Sequence, residues 1–299
     1  MSTATGNNVP RRWSAAGLEL GEGPRWVDGR LVLVDILTGR LFERHDASSG
    51  PLHEILRFDV PLGAAAPVAG RDGRWIVAAG TGIAFLEPSG DLDWLARPAD
   101  GGAVPRRMND GACDPRGRFW AGCMAWDATK DAGALYRVDH GGTVTQVRDG
   151  LTVPNGPAFS PDGRLMYLAD SAAGVVLRFP LEIDSGTHGA PDTFVEFDTG
   201  SPDGMTVDVN GNVWIAVWGA GRVQQFSPQG TLLRGVVVPA VQPTAASLGG
   251  PDGRTLFVTT ASYGLPPEEG GWSGDVFALT VTTPGLPAQA FGPWASTGW

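Results

Sequence analysis

The sequence is poor in cysteine, in positive charge and in helix-forming stretches. Its 299 residues hold two cysteines, too few for a disulfide framework. Cys113 and Cys123 bracket an expected hairpin without facing each other across it, so both are read as free thiols, in keeping with a reducing, cytoplasmic setting. Lys and Arg number 22 against 32 Asp and Glu, a net charge of -10, and no basic block interrupts the chain. This balance argues against nucleic acid and anionic membranes as partners. No apolar run approaches the length of a membrane span. The Arg pair in "VPRRWSAAGLEL" is not followed by the apolar stretch of a secretory or twin-arginine signal, and residues 1–10 read as a polar tail.

Other absences narrow the chemistry. No stretch of ten or more residues combines helical period with caps, which excludes a doubly wound α/β fold. No G-x-S-x-G elbow supplies a serine nucleophile. The four histidines, at 45, 53, 140 and 188, show no H-E-x-x-H spacing and fall mostly in expected outer hairpins, as surface residues. "DVNGN", residues 208–212, has the outline of a calcium loop but lacks its terminal Glu and occupies an expected turn.

What the chain does have is turns and aromatics: Gly 44, Pro 24 and Trp 11. The pattern of a turn, Gly, Arg or Asn and then an apolar strand recurs as "VDGRLVLVDI", "RDGRWIVAAG", "PRGRFWAGCM", "PDGRLMYLAD", "VNGNVWIAVW" and "PDGRTLFVTT". The residues after the glycine, Arg30, Arg74, Arg118, Arg164, Asn212 and Arg254, are spaced 44, 44, 46, 48 and 42 apart. A second Gly-marked turn and a further strand follow each one. Six units of this length, each a short antiparallel sheet unable to bury both faces alone, predict an all-β, six-bladed β-propeller over residues 11–299. The stretch "SAAGLEL", residues 14–20, is placed to close the ring against the last blade.

In "LTVPNGPAFSPDGRLMYLADS" there are two turn signals, Asn155-Gly156 and Pro161-Asp162-Gly163. Aligning the six units by their strands resolves the ambiguity. The Pro-Asp-Gly segment is the hairpin turn, and Asn155 opens the inner strand, in register with Glu22, Asn109 and Asp203; units two and six carry Ala65 and Ala245 there. Inner strands line the central channel, so the four polar side chains are expected to converge at one mouth. Glycines at 23, 111, 156 and 204 would relieve crowding near the axis. Carboxylate and amide oxygens around one axial point suit Ca²⁺, Mg²⁺ or Mn²⁺, with Zn²⁺ or Fe²⁺ as alternatives where positions stay open.

With "LGEGPRW", "RRMNDGACDPRGRFWAGCM", "PNGPAFSPDGRLMYLADS" and "PDGMTVDVNGNVWIAVWGAGRV" in this order, the sequence resembles the gluconolactonase/regucalcin family of SMP-30-like lactonases. The resemblance implies a propeller with one divalent metal in its channel. It further implies that Glu22, Asn155 and Asp203 are metal ligands, that Asp203 also acts as general base, and that Arg107, Asn109 and Asp127 contact substrate oxygens. Blade six departs from the family, since "PTAASLGG" replaces a more polar start. The implied activity is metal-dependent hydrolysis of sugar lactones such as gluconolactone or xylonolactone to the aldonic acid, by a cytoplasmic monomer or weak homodimer whose partner is a small molecule. A cation at the carbonyl would stabilise the tetrahedral oxyanion. The rivals are a non-catalytic metal-binding or interaction propeller, and a hydrolase of other esters or phosphotriesters. Trp126, Trp218, Asp35 and Asp170 end second strands near the same mouth, with either a site role or a packing role open to them.

Overall fold

The computed structural model describes residues 9–45 and 48–292. These residues form six four-stranded antiparallel sheets. Blade 1 runs Gly21–Val27, Arg30–Asp35, Arg40–His45 and His53–Arg57 from the axis outward. Blades 2 to 5 repeat that order over residues 62–96, 106–151, 154–196 and 201–237. Each inner strand packs against the inner strands of both neighbouring blades, and the last of them against the first, so the ring is closed. The protein is a six-bladed β-propeller.

The sixth blade supplies the closure. Its strands Pro243–Gly249, Thr255–Thr260 and Val276–Thr280 come from the end of the chain, and its outer edge is Arg11–Ser14, paired through Arg11 opposite Ala278. The closing strand therefore lies earlier than the expected stretch 14–20. Residues 15–20 have to cross from the outer edge of the ring to the inner strand that starts at Gly21. They do so through Gly17, at φ +62, and the fully buried Leu18. Leu20 makes only an isolated bridge, to Ala261. Of the tail expected over residues 1–10, residues 1–8 lie outside the described residues.

Burial follows position in the blade. Inner and second strands such as Pro154–Phe159 and Phe119–Ala125 are buried along their whole length, because neighbouring blades cover both faces. Fourth strands such as Val144–Leu151 are largely open to solvent. The core is thus divided into wedges between blades: Ile76, Phe119 and Tyr136 belong to one, Trp214, Leu256 and Phe277 to another. Two of the turns are stapled to this core. Asp114 accepts the amides of Arg116 and Arg118 and the indole N–H of buried Trp120. Asp208 does the same for Asn210, Asn212 and Trp214, and also accepts from the side chains of Asn212 and Gln225. "DVNGN" is therefore a turn whose carboxylate is already occupied by protein donors.

Cys113 and Cys123 are both buried and free; they stand opposite Phe119 and Met108, not each other. His45, His53 and His140 are exposed, while His188 is half-buried, edge-on to Phe179 at 5.2 Å. Among the described residues helix is confined to the turns Ser171–Ala173 and Pro267–Gly270, and neither is long and apolar enough to cross a membrane.

Candidate active site

All six inner strands carry one extra residue near their start. In blade 1 the pairing jumps from Glu22 opposite Val34 to Arg25 opposite Val32. In blades 3, 4 and 5 it jumps between Met108 and Gly111, between Asn155 and Ala158, and between Pro202 and Met205. A bulge breaks the alternation of the strand and re-aims the side chains at it. Here Glu22, Asn109, Asn155 and Asp203 all sit at or beside the bulge. In blades 2 and 6 the extra residue is Gly63 and Thr244, so Ala65 and Ala245 stand past the bulge rather than at it. Gly156 takes up φ +86 in its bulge, and Gly204 is needed for space, since a Cβ there would lie 2.4 Å from that of Ala245.

The bulges open onto a cavity of about 330 Å³ lined by Glu22, Arg107, Asn109, Asn155 and Asp203. All five side chains are nearly inaccessible to solvent. Asp127 is not brought into this group: it is exposed and accepts from the amide and hydroxyl of Thr129 at 3.0 and 2.6 Å. It sits in the turn after the second strand, where its own neighbours supply its donors.

One hydrogen-bonded chain links three blades across the site. Arg107 Nη1 donates to Asn109 Oδ1 at 2.6 Å, and Asn109 Nδ2 donates to Asn155 Oδ1 at 2.8 Å. Asn155 Nδ2 donates to the Ser171 hydroxyl at 2.8 Å, which in turn donates to the carbonyl of Pro202 at 2.6 Å. A guanidinium can only donate and a carbonyl can only accept, so both ends of the chain fix the direction of every bond between them. Asn155 is therefore held with its oxygen on the Asn109 side and its N–H₂ toward Ser171. Asn109 is anchored further by donating to the carbonyl of Pro154.

The site is short of positive charge. Glu22 and Asp203 each accept a single protein hydrogen bond among the described residues, from the amide of the following glycine at 2.9 and 3.1 Å. Both carboxyls are held well above the usual carboxylate range. Burial is the main cause for each; repulsion from Asp203 and Asp110 adds to it at Glu22, and repulsion from Asp110 at Asp203. Arg107 opposes these shifts, and its own burial pushes it down to about 10, still protonated at neutral pH. Asp110 is buried beside the cavity, bridges blades 3 and 4 through the amides of Gly111 and Gly156, and is raised by burial against the pull of Arg25.

Asp110, Ser171 and Tyr263, which lines the cavity, escaped the sequence reading. Asp110 directly follows Asn109 in "MNDG" and Ser171 follows "LAD", but each also has a partner on the next blade, the Gly156 amide and the Pro202 carbonyl. Trp218 lines the cavity, whereas Trp126 is exposed, with Arg107 5.6 Å from its ring centre. Asp35 and Asp170 are structural: Asp35 takes the amides of Glu19 and Leu20, and Asp170 those of Thr152 and Val153, fastening the loops that lead into two inner strands.

The donor set suits a hard divalent cation. Glu22 and Asp203 are buried carboxylates with spare oxygens, the amide oxygen of Asn155 is locked in direction, and the nearby cationic charge does not offset the acidic groups. Among the described residues no group of three His, Cys, Asp or Glu side chains is placed to hold a metal; the set expected here is two carboxylates and an amide.

Comparison with known proteins bears on the same stretch. The family described as the SMP-30/gluconolactonase/LRE-like region matches residues 20–262. The pentonolactonase XacC of Haloferax volcanii is 37% identical over 279 residues, covering 90% of this chain and 93% of that one. The 6-deoxy-6-sulfogluconolactonase of Pseudomonas putida is 37% identical over 280 residues, covering 91% and 94%. The crystal structure of regucalcin, a calcium-binding protein from Agrobacterium tumefaciens strain C58, superposes with a TM-score of 0.86 at 28% identity, covering 95% and 97%. With its inner-strand bulges, the polar cluster they present and a match running through five blades and into the sixth, this chain belongs to the SMP-30/gluconolactonase/LRE-like family.

Proposed function

We propose that the protein is a metal-dependent lactonase that opens sugar-acid lactones of the glucono- and xylono-lactone type to the aldonic acid. The observation that carries this reading is the convergence of Glu22, Asn155 and Asp203, from three blades, on one cavity that also holds the buried guanidinium of Arg107. Glu22, Asn155 and Asp203 would hold one divalent ion (Ca²⁺, Zn²⁺, Mn²⁺, Mg²⁺ or Fe²⁺). When bound, such an ion supplies Lewis acidity to a carbonyl and acidity to water.

The chain's own groups divide the remaining work. Arg107 places a fixed positive charge where the tetrahedral oxyanion develops, and burial makes that charge worth more than it would be in water. Nη1 is engaged by the carbonyl of Met108 and by Asn109, which leaves its other N–H groups for substrate oxygens. Asn109 holds Arg107 and Asn155 in mutual register. Asp203 has one oxygen on the Gly204 amide, and its other oxygen takes the proton of the attacking water. Leu20, Met124 and Trp218 restrict water to the reacting side.

The test is acid release from glucono- and xylono-lactone by protein stripped with chelator and reloaded with single metals, beside a folded Asp203→Ala variant. Hydrolysis should depend on added metal and be lost in the variant. Metal binding with no lactone opened would move the reading to other esters or phosphotriesters. No binding of any divalent ion would leave a non-catalytic propeller.

A further inference from the structure

Three polar side chains of the cavity lining are left over once the proposed ion and the hydrogen-bonded chain have taken theirs. Glu22, Asn155 and Asp203 belong to the ion, Arg107 and Asn109 lead the chain, and the Ser171 hydroxyl accepts from Asn155 and donates to Pro202. The hydroxyl of Ser201, the indole N–H of Trp218 and the hydroxyl of Tyr263 line the same cavity. None of the three has a protein hydrogen-bond partner among the described residues.

They stand on one arc of the ring, blades 5 and 6. Ser201 opens the inner strand Ser201–Val207 and lies directly opposite Trp218, the last residue of Val213–Trp218. Residues directly opposite in a ladder share a face, with Cβ atoms about 4.5–5.5 Å apart, so both can address one sugar-sized ring. Tyr263 follows the second strand of blade 6. Its amide donates to the carbonyl of Glu19 at 2.9 Å, and its carbonyl accepts from the buried side chain of Gln242 at 2.9 Å. The backbone is thus fixed at both ends of the residue while the side chain is exposed at the mouth. Among nearby acidic groups only Glu22 acts more strongly on the Arg107 guanidinium than the Tyr263 phenol does, which sets that hydroxyl close to the reacting end of the cavity.

An indole N–H can only donate, whereas the two hydroxyls donate or accept. The set therefore matches oxygens that do both, the hydroxyls of a polyol. Asp127, the carboxylate expected to take sugar hydroxyls, faces its own turn on blade 3. We propose that Ser201, Trp218 and Tyr263 are the residues that read the lactone's hydroxyls: a vicinal pair spans Ser201 and Trp218, and Tyr263 takes a third oxygen. The proposal rests on the lactonase reading above and adds the residues that select a polyhydroxylated ring over an unsubstituted one. Ser201 and Trp218 are half-buried and Tyr263 is exposed, so each bond to substrate replaces one to water. Each is then worth about fivefold in kcat/KM, the net scale of one neutral hydrogen bond.

The experiment compares glucono-1,5-lactone with δ-valerolactone, the same six-membered ring without hydroxyls, on metal-loaded wild type, Ser201→Ala, Trp218→Phe, Tyr263→Phe and Asp127→Asn. The cyclic ether 1,5-anhydroglucitol, which cannot be hydrolysed, is titrated alongside by calorimetry. The first three variants should each lose about fivefold more on the hydroxylated lactone than on δ-valerolactone, with the excess in KM. Asp127→Asn should show no such excess. Equal losses on both lactones, or an excess confined to Asp127→Asn, overturn the assignment and leave the lactonase reading intact. If neither lactone is opened but the cyclic ether binds, and binds about fivefold more weakly to Tyr263→Phe, the lactonase reading fails and the hydroxyl-reading arc stands. If nothing is opened and nothing binds, both fail together.

Discussion

Replacing Ser171 by Ala cuts the hydrogen-bonded chain at its narrowest point. The hydroxyl accepts from Asn155 at 2.8 Å and donates to the Pro202 carbonyl at 2.6 Å, so one substitution removes two bonds. Ser171 is half-buried at the cavity, and water can replace part of what is lost. The stability cost is therefore at the low end for an unsatisfied polar group, about 1 kcal/mol, which in a chain of this size lowers Tm by about 2 °C. The functional cost should be larger. Without Ser171 the Asn155 N–H₂ loses its partner, so the amide is held from the Asn109 side alone and its oxygen is less firmly aimed, and the strand that carries Pro202 and Asp203 loses its tie to blade 4. Removing a group that orients a metal ligand weakens metal affinity by about 10- to 100-fold. Calorimetric titration of chelator-stripped wild type, Ser171→Ala and Ser171→Thr with Ca²⁺ and Mn²⁺, with kcat/KM measured beside it, reads this directly. The Thr variant keeps the hydroxyl and should recover most of the affinity. An Ala variant that binds metal and turns over lactone like wild type, with only a lowered Tm, would show that the chain braces the fold and does not orient Asn155.

Three further outcomes follow from the same geometry. Because Glu22 and Asp203 are buried with one protein donor each, a bound divalent ion should stabilise the ring; at 100 times its Kd the gain is about 2.7 kcal/mol, and a calorimetric scan with and without chelator that shows no shift would rule out a site there. Gly204→Ala forces a Cβ to within 2.4 Å of the Ala245 Cβ and 2.9 Å of its Cα, so blade 6 has to move; the expected loss is about 1–3 kcal/mol by urea denaturation, and an unchanged midpoint would contradict the tight approach of the inner strands. Burial pushes the thiols of Cys113 and Cys123 upward, Cys113 far beyond the usual range, which keeps both protonated. Neither should react with an aromatic disulfide reagent at pH 8 until the protein is unfolded, when both should; rapid titration of the native protein would refute their burial.

Blade number and blade boundaries can be read from the repeat because they depend on local chemistry. A Gly-marked turn and an apolar alternating run specify a hairpin wherever they occur, and six of them at nearly constant spacing leave a ring as the way to cover every face. The register that groups Glu22, Asn109, Asn155 and Asp203 comes from the same spacing. The direction in which those side chains point is a different matter, since it depends on the bulges, and a bulge forms where the approach of neighbouring inner strands demands it. The Gly204 and Ala245 contact is one such approach. Ser171 and Asp110 gain their meaning from the Pro202 carbonyl and the Gly156 amide on the next blades, contacts that exist only once the ring has closed. Asp127 shows the converse: its position in the chain is close to the site, but the turn it caps holds its carboxylate outside. The closing strand moved to Arg11–Ser14 for a similar reason, because residues 15–20 are needed to span the blade from rim to axis. Local sequence specifies turns, strands and their count; ring closure then sets which groups meet across blades, because those distances depend on how six sheets pack around one axis.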